Sequence, residues 1–168
     1  KFDVSPYEKI VLPVQRHKVI HGFSDSSICH SQIYAYSLEE VLAEKLRSWI
    51  QRTRARDLFD IVKIIQSQAV PVSKRNILSA FFQKTLFKNI PEVGQAELLS
   101  EEKFSTVSDN WLPTLICPAN TLILAVNAIS VFKDFVNTLF DPATLEAVQE
   151  LVVPHLNLKF FQPVPSHI

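Results

Sequence analysis

The 168-residue chain has no methionine and only two glycines, Gly22 and Gly94. Two isolated glycines cannot build a Gly-rich loop that wraps backbone amides around a phosphate, which excludes P-loop and dinucleotide-fold chemistry. The missing methionine reads as a start inside a longer protein, so the expectation is a C-terminal portion. Cysteine is as scarce: Cys29 and Cys117 make no disulfide framework, and a reducing, cytoplasmic setting is the natural expectation. The opening "KFDVSPYEKI" lacks the apolar stretch of a signal peptide. The longest apolar run, 121–132, is interrupted by Asn127 and too short to cross a bilayer, so no membrane partner is expected. Neither sign of charge is in excess, with 17 Lys and Arg against 17 Asp and Glu, so the overall field favours neither nucleic acid nor acidic partners. There is no G-x-S-x-G elbow for a hydrolase. His17, His21, Cys29 and His30 match no zinc-finger spacing, and Gly22 argues against a helix that would align the two nearer histidines.

What remains is a chain that is 47% hydrophobic and can bury a core. Lys1 to Ser5 alternates and predicts a short strand; Glu8 to Val14 is a second extended piece closed near Pro13. Residues 15–31 are polar and broken by Gly22, and read mostly as loop. Ile33 to Tyr36 alternates again and predicts a strand. Ser37 and Glu40 then form the S-x-x-E capping box that starts a helix, with Leu38, Val41, Leu42, Lys45, Leu46 and Trp49 at helical spacing. "QRTRAR" breaks the pattern, and Asp57 to Ile65 predicts a second helix. Beyond Pro71 the pattern is helical. Ser73 caps one helix, a linker carries Pro91 and Gly94, and a further helix runs up to Pro113. The most apolar helix spans 119–140, and Asp141-Pro142 opens the last one. The expected fold class is α+β, mostly α. Its expected parts are residues 1–70 with the strands, a helical region 71–153, and an extended or disordered tail 154–168.

Lys45 is the residue out of place. It follows Val41 by four and precedes Trp49 by four, so it shares their apolar face. By periodicity alone, the commoner explanation is a packed stem with its ammonium in water. The sharper one is a lysine aimed at a phosphate, since burying an unpartnered ammonium is costly. Asp57 opens a helix, where the helix dipole favours a carboxylate without any function. Asp60, three residues on, shares its side and could pair with Arg56 or Lys63. Arg52, Arg54 and Arg56 form a basic cluster that could grip a nucleic-acid backbone, though such runs are more often solvated turns.

Taken together, "IYAYSLEEVLAEKLRSWIQRTRARDLFDIVKII" resembles the nucleotidyltransferase toxins of the AbiEii/AbiGii type, from type IV toxin–antitoxin and phage-abortive systems. The likeness lies in Tyr36 to Glu40, Leu42 to Leu46 and Arg56 to Asp60, with a looser similarity in "KFDVSPYEKI" and the later helices. The resemblance implies short strands from a polymerase-β-like nucleotidyltransferase sheet followed by a helical bundle. It implies transfer of a nucleotide from NTP to an RNA acceptor, in some relatives tRNA, with Mg2+ as cofactor. It places Lys45 on the triphosphate with Arg56 beside it, and Asp57 as the carboxylate that orients Lys45 or assists the acceptor. Asp3 would be a third carboxylate on a sheet strand. The implied partner is a separately encoded antitoxin, and exposed strands make a homodimer an expectation too.

The sequence departs from this family in one respect. The glycine turn followed by D-x-D, whose carboxylates hold Mg2+ in such enzymes, is absent, because no D-x-D occurs in the 168 residues. The resulting expectation is weak binding of Mg2+ and NTP and no catalysis by this stretch alone. The alternative is a non-catalytic helical interaction module, or a degraded remnant of such a toxin.

Overall fold

In the computed structural model, residues 8–20, 22–28, 30–67, 71–87 and 94–152 are described. The strand expected at Lys1 to Ser5, Asp3 within it, and the tail 154–168 lie outside them. The architecture is α+β and mostly α. Strands β1 (Gln15–Lys18) and β2 (Gln32–Ala35) form an antiparallel pair with Gln15 opposite Ala35 and Lys18 opposite Gln32. Val19 N–H donates to Ser31 O at 3.1 Å and extends the ladder by one bond. The sequence pattern predicts mostly loop over 15–31 and so misses β1. The reason is that "QRHK" has no apolar alternation: all four residues are exposed, and β1 exists through its backbone pairing with β2. β2 begins and ends one residue earlier than expected. Residues 8–14 form no strand.

Helix α1 (Leu38–Arg52) starts at Ser37, whose hydroxyl accepts from Glu40 N–H at 3.2 Å. Only this half of the expected capping box forms. The Glu40 carboxylate instead accepts from the N–H groups of Val11 and Leu12, at 3.1 and 2.9 Å, and meets Lys84 Nζ at 2.7 Å. A buried carboxylate takes the partners that neutralise it best, and an ammonium outranks a cap amide.

The α1–α2 turn is tighter than the six-residue break expected from sequence. Only two residues, Thr53 and Arg54, separate the end of α1 from the start of helix α2 (Ala55–Ser67). Thr53 closes α1 in the left-handed region, with φ 46° and ψ 56°, and its N–H donates to Trp49 O at 3.1 Å. It is the one non-glycine residue with positive φ among the described residues. A β-branched residue there is strained by about 1–2 kcal/mol. Thr53→Gly is therefore expected to raise stability by about 1 kcal/mol in urea unfolding, and a loss of stability would contradict this account.

Helix α3 (Lys74–Phe87) is capped by Ser73, which accepts from Asn76 N–H at 3.3 Å. Next come α4 (Gln95–Leu98), α5 (Glu101–Asp109) and α6 (Trp111–Thr114). The expected helix up to Pro113 is thus two helices broken at Asn110. Pro113 sits in the first turn of α6, where no amide donor is needed, so it does not stop the helix. The long apolar helix is also shorter than expected. Residues 119–121 form a 3-10 turn, and α7 (Ala125–Leu139) starts four residues later. Helix α8 (Pro142–Val152) opens at Asp141, which accepts from the Thr144 N–H and hydroxyl, both at 2.9 Å.

One hydrophobic cluster joins these helices. Helix α1 packs on α2 and α3, α3 on α8, and α2 on α7. Trp49 anchors its middle: it is fully buried, donates from its indole to Leu98 O at 3.0 Å, and lies 5.8 Å from Phe104 and 5.7 Å from Phe132 between ring centroids. Among the described residues, no helix is long and apolar enough to cross a membrane.

Candidate nucleotide site between helices α1 and α2

The tight turn lays the middle of α1 beside the start of α2. Lys45, on the apolar face of α1, reaches across to two carboxylates. Its Nζ donates to Asp57 Oδ1 at 3.2 Å and to Asp60 Oδ2 at 2.7 Å. Asp57 and Asp60, three apart on α2, share the side that faces Lys45. Arg52, in the last turn of α1, donates to Asp57 Oδ1 at 3.2 Å. Arg52 and Asp60 were not among the expected site residues. Asp60 pairs with Lys45, where the sequence spacing offered Arg56 or Lys63.

Burial grades the cluster. The Asp57 side chain is 1% exposed, Lys45 27% and Asp60 46%. Asp57 is thus the floor and Asp60 the rim. Both bonds to Asp57 fall on Oδ1, and the buried Oδ2 has no hydrogen-bond partner. A buried carboxylate oxygen left unpaired is costly.

Burial works against charge on Lys45, but the hydrogen bond and charge of Asp60, then those of Asp57, outweigh it. The Lys45 pKa lies above the ordinary lysine value. A raised folded-state value means that the stabilisation is complete below the ordinary lysine pKa and lost only as pH climbs through the raised one. Lys45 therefore keeps its charge throughout the neutral range.

Arg56 lies elsewhere. It is exposed and lines a cleft of about 360 Å3 with residues of the α1–α2 turn, α5 and α6, none of which belongs to the Lys45 cluster. Asp3 lies outside the described residues. Of the four residues weighed for zinc, His17 and His30 are exposed, while His21 and Cys29 lie outside the described residues. Among the described residues, no three His, Cys, Asp or Glu side chains are grouped so as to hold a metal.

A second polar assembly holds the N-terminal segment against the bundle. Lys84 of α3 meets Glu40 as described, donates to Lys9 O at 2.8 Å, and lies 3.5 Å from Glu44. Arg47 pairs with Glu44 and Gln51. Glu40 and Lys84 are 44 residues apart in sequence, and no spacing rule announces their pairing.

A family model described as nucleotidyl transferase AbiEii toxin, type IV TA system, matches residues 1–115. That span takes in β1, β2, the whole Lys45 cluster and the helices through α6. The chain matches no curated protein and no solved structure.

Proposed function

The chain belongs to the AbiEii nucleotidyltransferase toxin family of type IV toxin–antitoxin systems, and on that basis we propose that the Lys45 cluster is the triphosphate-binding arm of a nucleotidyl-transfer site with RNA as acceptor. The observation that supports this reading is Lys45 on the apolar face of α1, its partly exposed ammonium bracketed between a buried aspartate and a half-exposed one.

Lys45 supplies the positive charge. Asp57, held also by Arg52, fixes where that charge sits. Asp60 occupies the solvent side of the ammonium, where a phosphate oxygen would bind. Exchanging one exposed anion for another costs little, because the pair it breaks is weak. Family membership also implies an antitoxin as partner.

Mg2+ does not fit the described residues. It prefers near-octahedral oxygen coordination from carboxylates, waters and substrate phosphates. Asp57 and Asp60 already share an ammonium, and no third acidic group stands near them among the described residues. The role of the cluster is therefore to bind and place phosphate through Lys45.

Titration calorimetry with an NTP tests the reading. Losing a charge-assisted interaction of about 1.5–3 kcal/mol weakens binding roughly ten- to a hundred-fold in Lys45→Ala. The melting temperature should fall as well, because the buried Asp57 is then left with Arg52 alone, so NTP affinity is the deciding readout. If Lys45→Ala binds NTP like wild type and only melts earlier, the cluster is structural and the proposal fails.

A further inference from the structure

Charges that the Lys45 cluster does not use lie in two halves on either side of Thr53. Arg54 and Arg56 are exposed and have no carboxylate partner among the described residues. Both line the 360 Å3 cleft, whose lining contains no acidic side chain. A second cleft, of about 650 Å3, adjoins it, and Thr53 and Thr106 belong to both linings. Glu97 and Glu102 line this second cleft and make no ion pair among the described residues. Lys103 is the one cation of its lining, and it donates to Ile50 O at 3.1 Å, near the end of α1. Burial holds the Lys103 pKa below the ordinary lysine value, against the opposing charges of Glu97 and Glu102. The first cleft is therefore basic and the second is acidic on balance.

This division of charge decides what can lie across both clefts. A polyanion that suits Arg54 and Arg56 meets Glu97 and Glu102 once it passes Thr53 and Thr106. A polycation meets the reverse. Like charges brought together at an interface are costly, so a ligand of one sign is opposed over half the groove. The neutral lining asks for donors and acceptors together. The Thr106 hydroxyl donates to Glu102 O at 2.9 Å and that of Thr114 to Asn110 O at 2.6 Å, which leaves their lone pairs to accept. The Asn110 amide gives one proton to Thr106 O at 2.9 Å and keeps the other. An extended peptide brings an N–H and a C=O at each residue other than proline, and it can carry side chains of both signs.

We propose that the two clefts form one docking groove for an extended segment of a partner protein, with acidic residues at one end of the segment for Arg54 and Arg56 and basic residues at the other for Glu97 and Glu102. The groove shares no residue with the Lys45 cluster and does not rest on the proposed function.

The test is fluorescence anisotropy with short labelled peptides. One carries a glutamate block and a lysine block and is made in both orders, one carries glutamates throughout and one lysines throughout. A single-stranded RNA of similar length is run beside them. One order of the mixed peptide is expected to bind about tenfold tighter than either single-sign peptide. Arg54→Ala/Arg56→Ala should weaken that binding about tenfold and turn the preference toward the lysine peptide. Glu97→Gln/Glu102→Gln should weaken it to a similar degree and turn the preference toward the glutamate peptide. None of the four side chains is buried, so the melting temperature should hold in both variants. Lys45→Ala should keep peptide binding, so a failure of the triphosphate reading leaves the groove standing. A mixed peptide that in neither order outbinds the single-sign peptides would overturn the proposal. So would tightest binding by the RNA or the glutamate peptide, which would make this an anion site, and so would a preference that neither double variant changes.

Discussion

Lys84→Ala is expected to cost the fold about 3–5 kcal/mol, the range for removing one partner of a buried ion pair. The Lys84 side chain is 5% exposed and that of Glu40 1%. With Lys84 gone, the Glu40 carboxylate stays buried with only the Val11 and Leu12 amides as partners. Two amides stabilise the charge less well than two amides and an ammonium at 2.7 Å. The substitution also removes the bond from Lys84 to Lys9 O, so both ties on residues 9–12 weaken together. Urea unfolding gives the first magnitude, and limited proteolysis within 8–14 should report release of the segment. Replacing both partners, as Glu40→Leu with Lys84→Met, should cost much less than Lys84→Ala alone, because no charge is left stranded. A cost under about 1 kcal/mol in Lys84→Ala would show that water or a neighbour already serves Glu40, and this account of the clamp would be wrong.

Glu40 also shows how far sequence can be read. Ser37 and Glu40 announce the start of α1 correctly, because a cap is a local device and local spacing reveals it. The same spacing suggests the wrong use for the carboxylate, because its real partners are far away in sequence. β1 is missed for the opposite reason. Its four exposed polar residues carry no pattern, and only the pairing with β2 makes it a strand. Within the site, Lys45 is visible as an ammonium on an apolar stripe, and Asp57 and Asp60 as a pair on one side of α2. That the two helices are close enough for Lys45 to meet both depends on the turn. The turn depends on a threonine in a left-handed conformation that glycine would normally take. No glycine stands there to signal it, so the break reads as six residues and Arg52 is left out of the expected site.

On the proposed function, Asp57→Ala is expected to lower nucleotide transfer on the order of a hundredfold, the scale that follows from misplacing a reacting group by about 1 Å. Asp60→Asn is expected to leave triphosphate binding unchanged or several-fold tighter. The contrast follows from geometry. Asp57 is buried, is gripped by Lys45 and Arg52 together, and sets the position of the ammonium from below. Without it, Lys45 follows Asp60 toward solvent and the charge moves away from its place over the floor of the cluster. Asp60 touches only Lys45 within this cluster and is nearly half exposed, so it competes with an incoming phosphate for the same ammonium. Neutralising Asp60 removes the competitor and leaves the floor intact. Its cost to stability should be small, about 0–1 kcal/mol, because pairs of this exposure contribute little. Calorimetry on both variants beside a transfer assay separates the roles. If Asp60→Asn weakens NTP binding as much as Lys45→Ala does, Asp60 holds the lysine in place and is no competitor. The triphosphate must then approach Lys45 from another side.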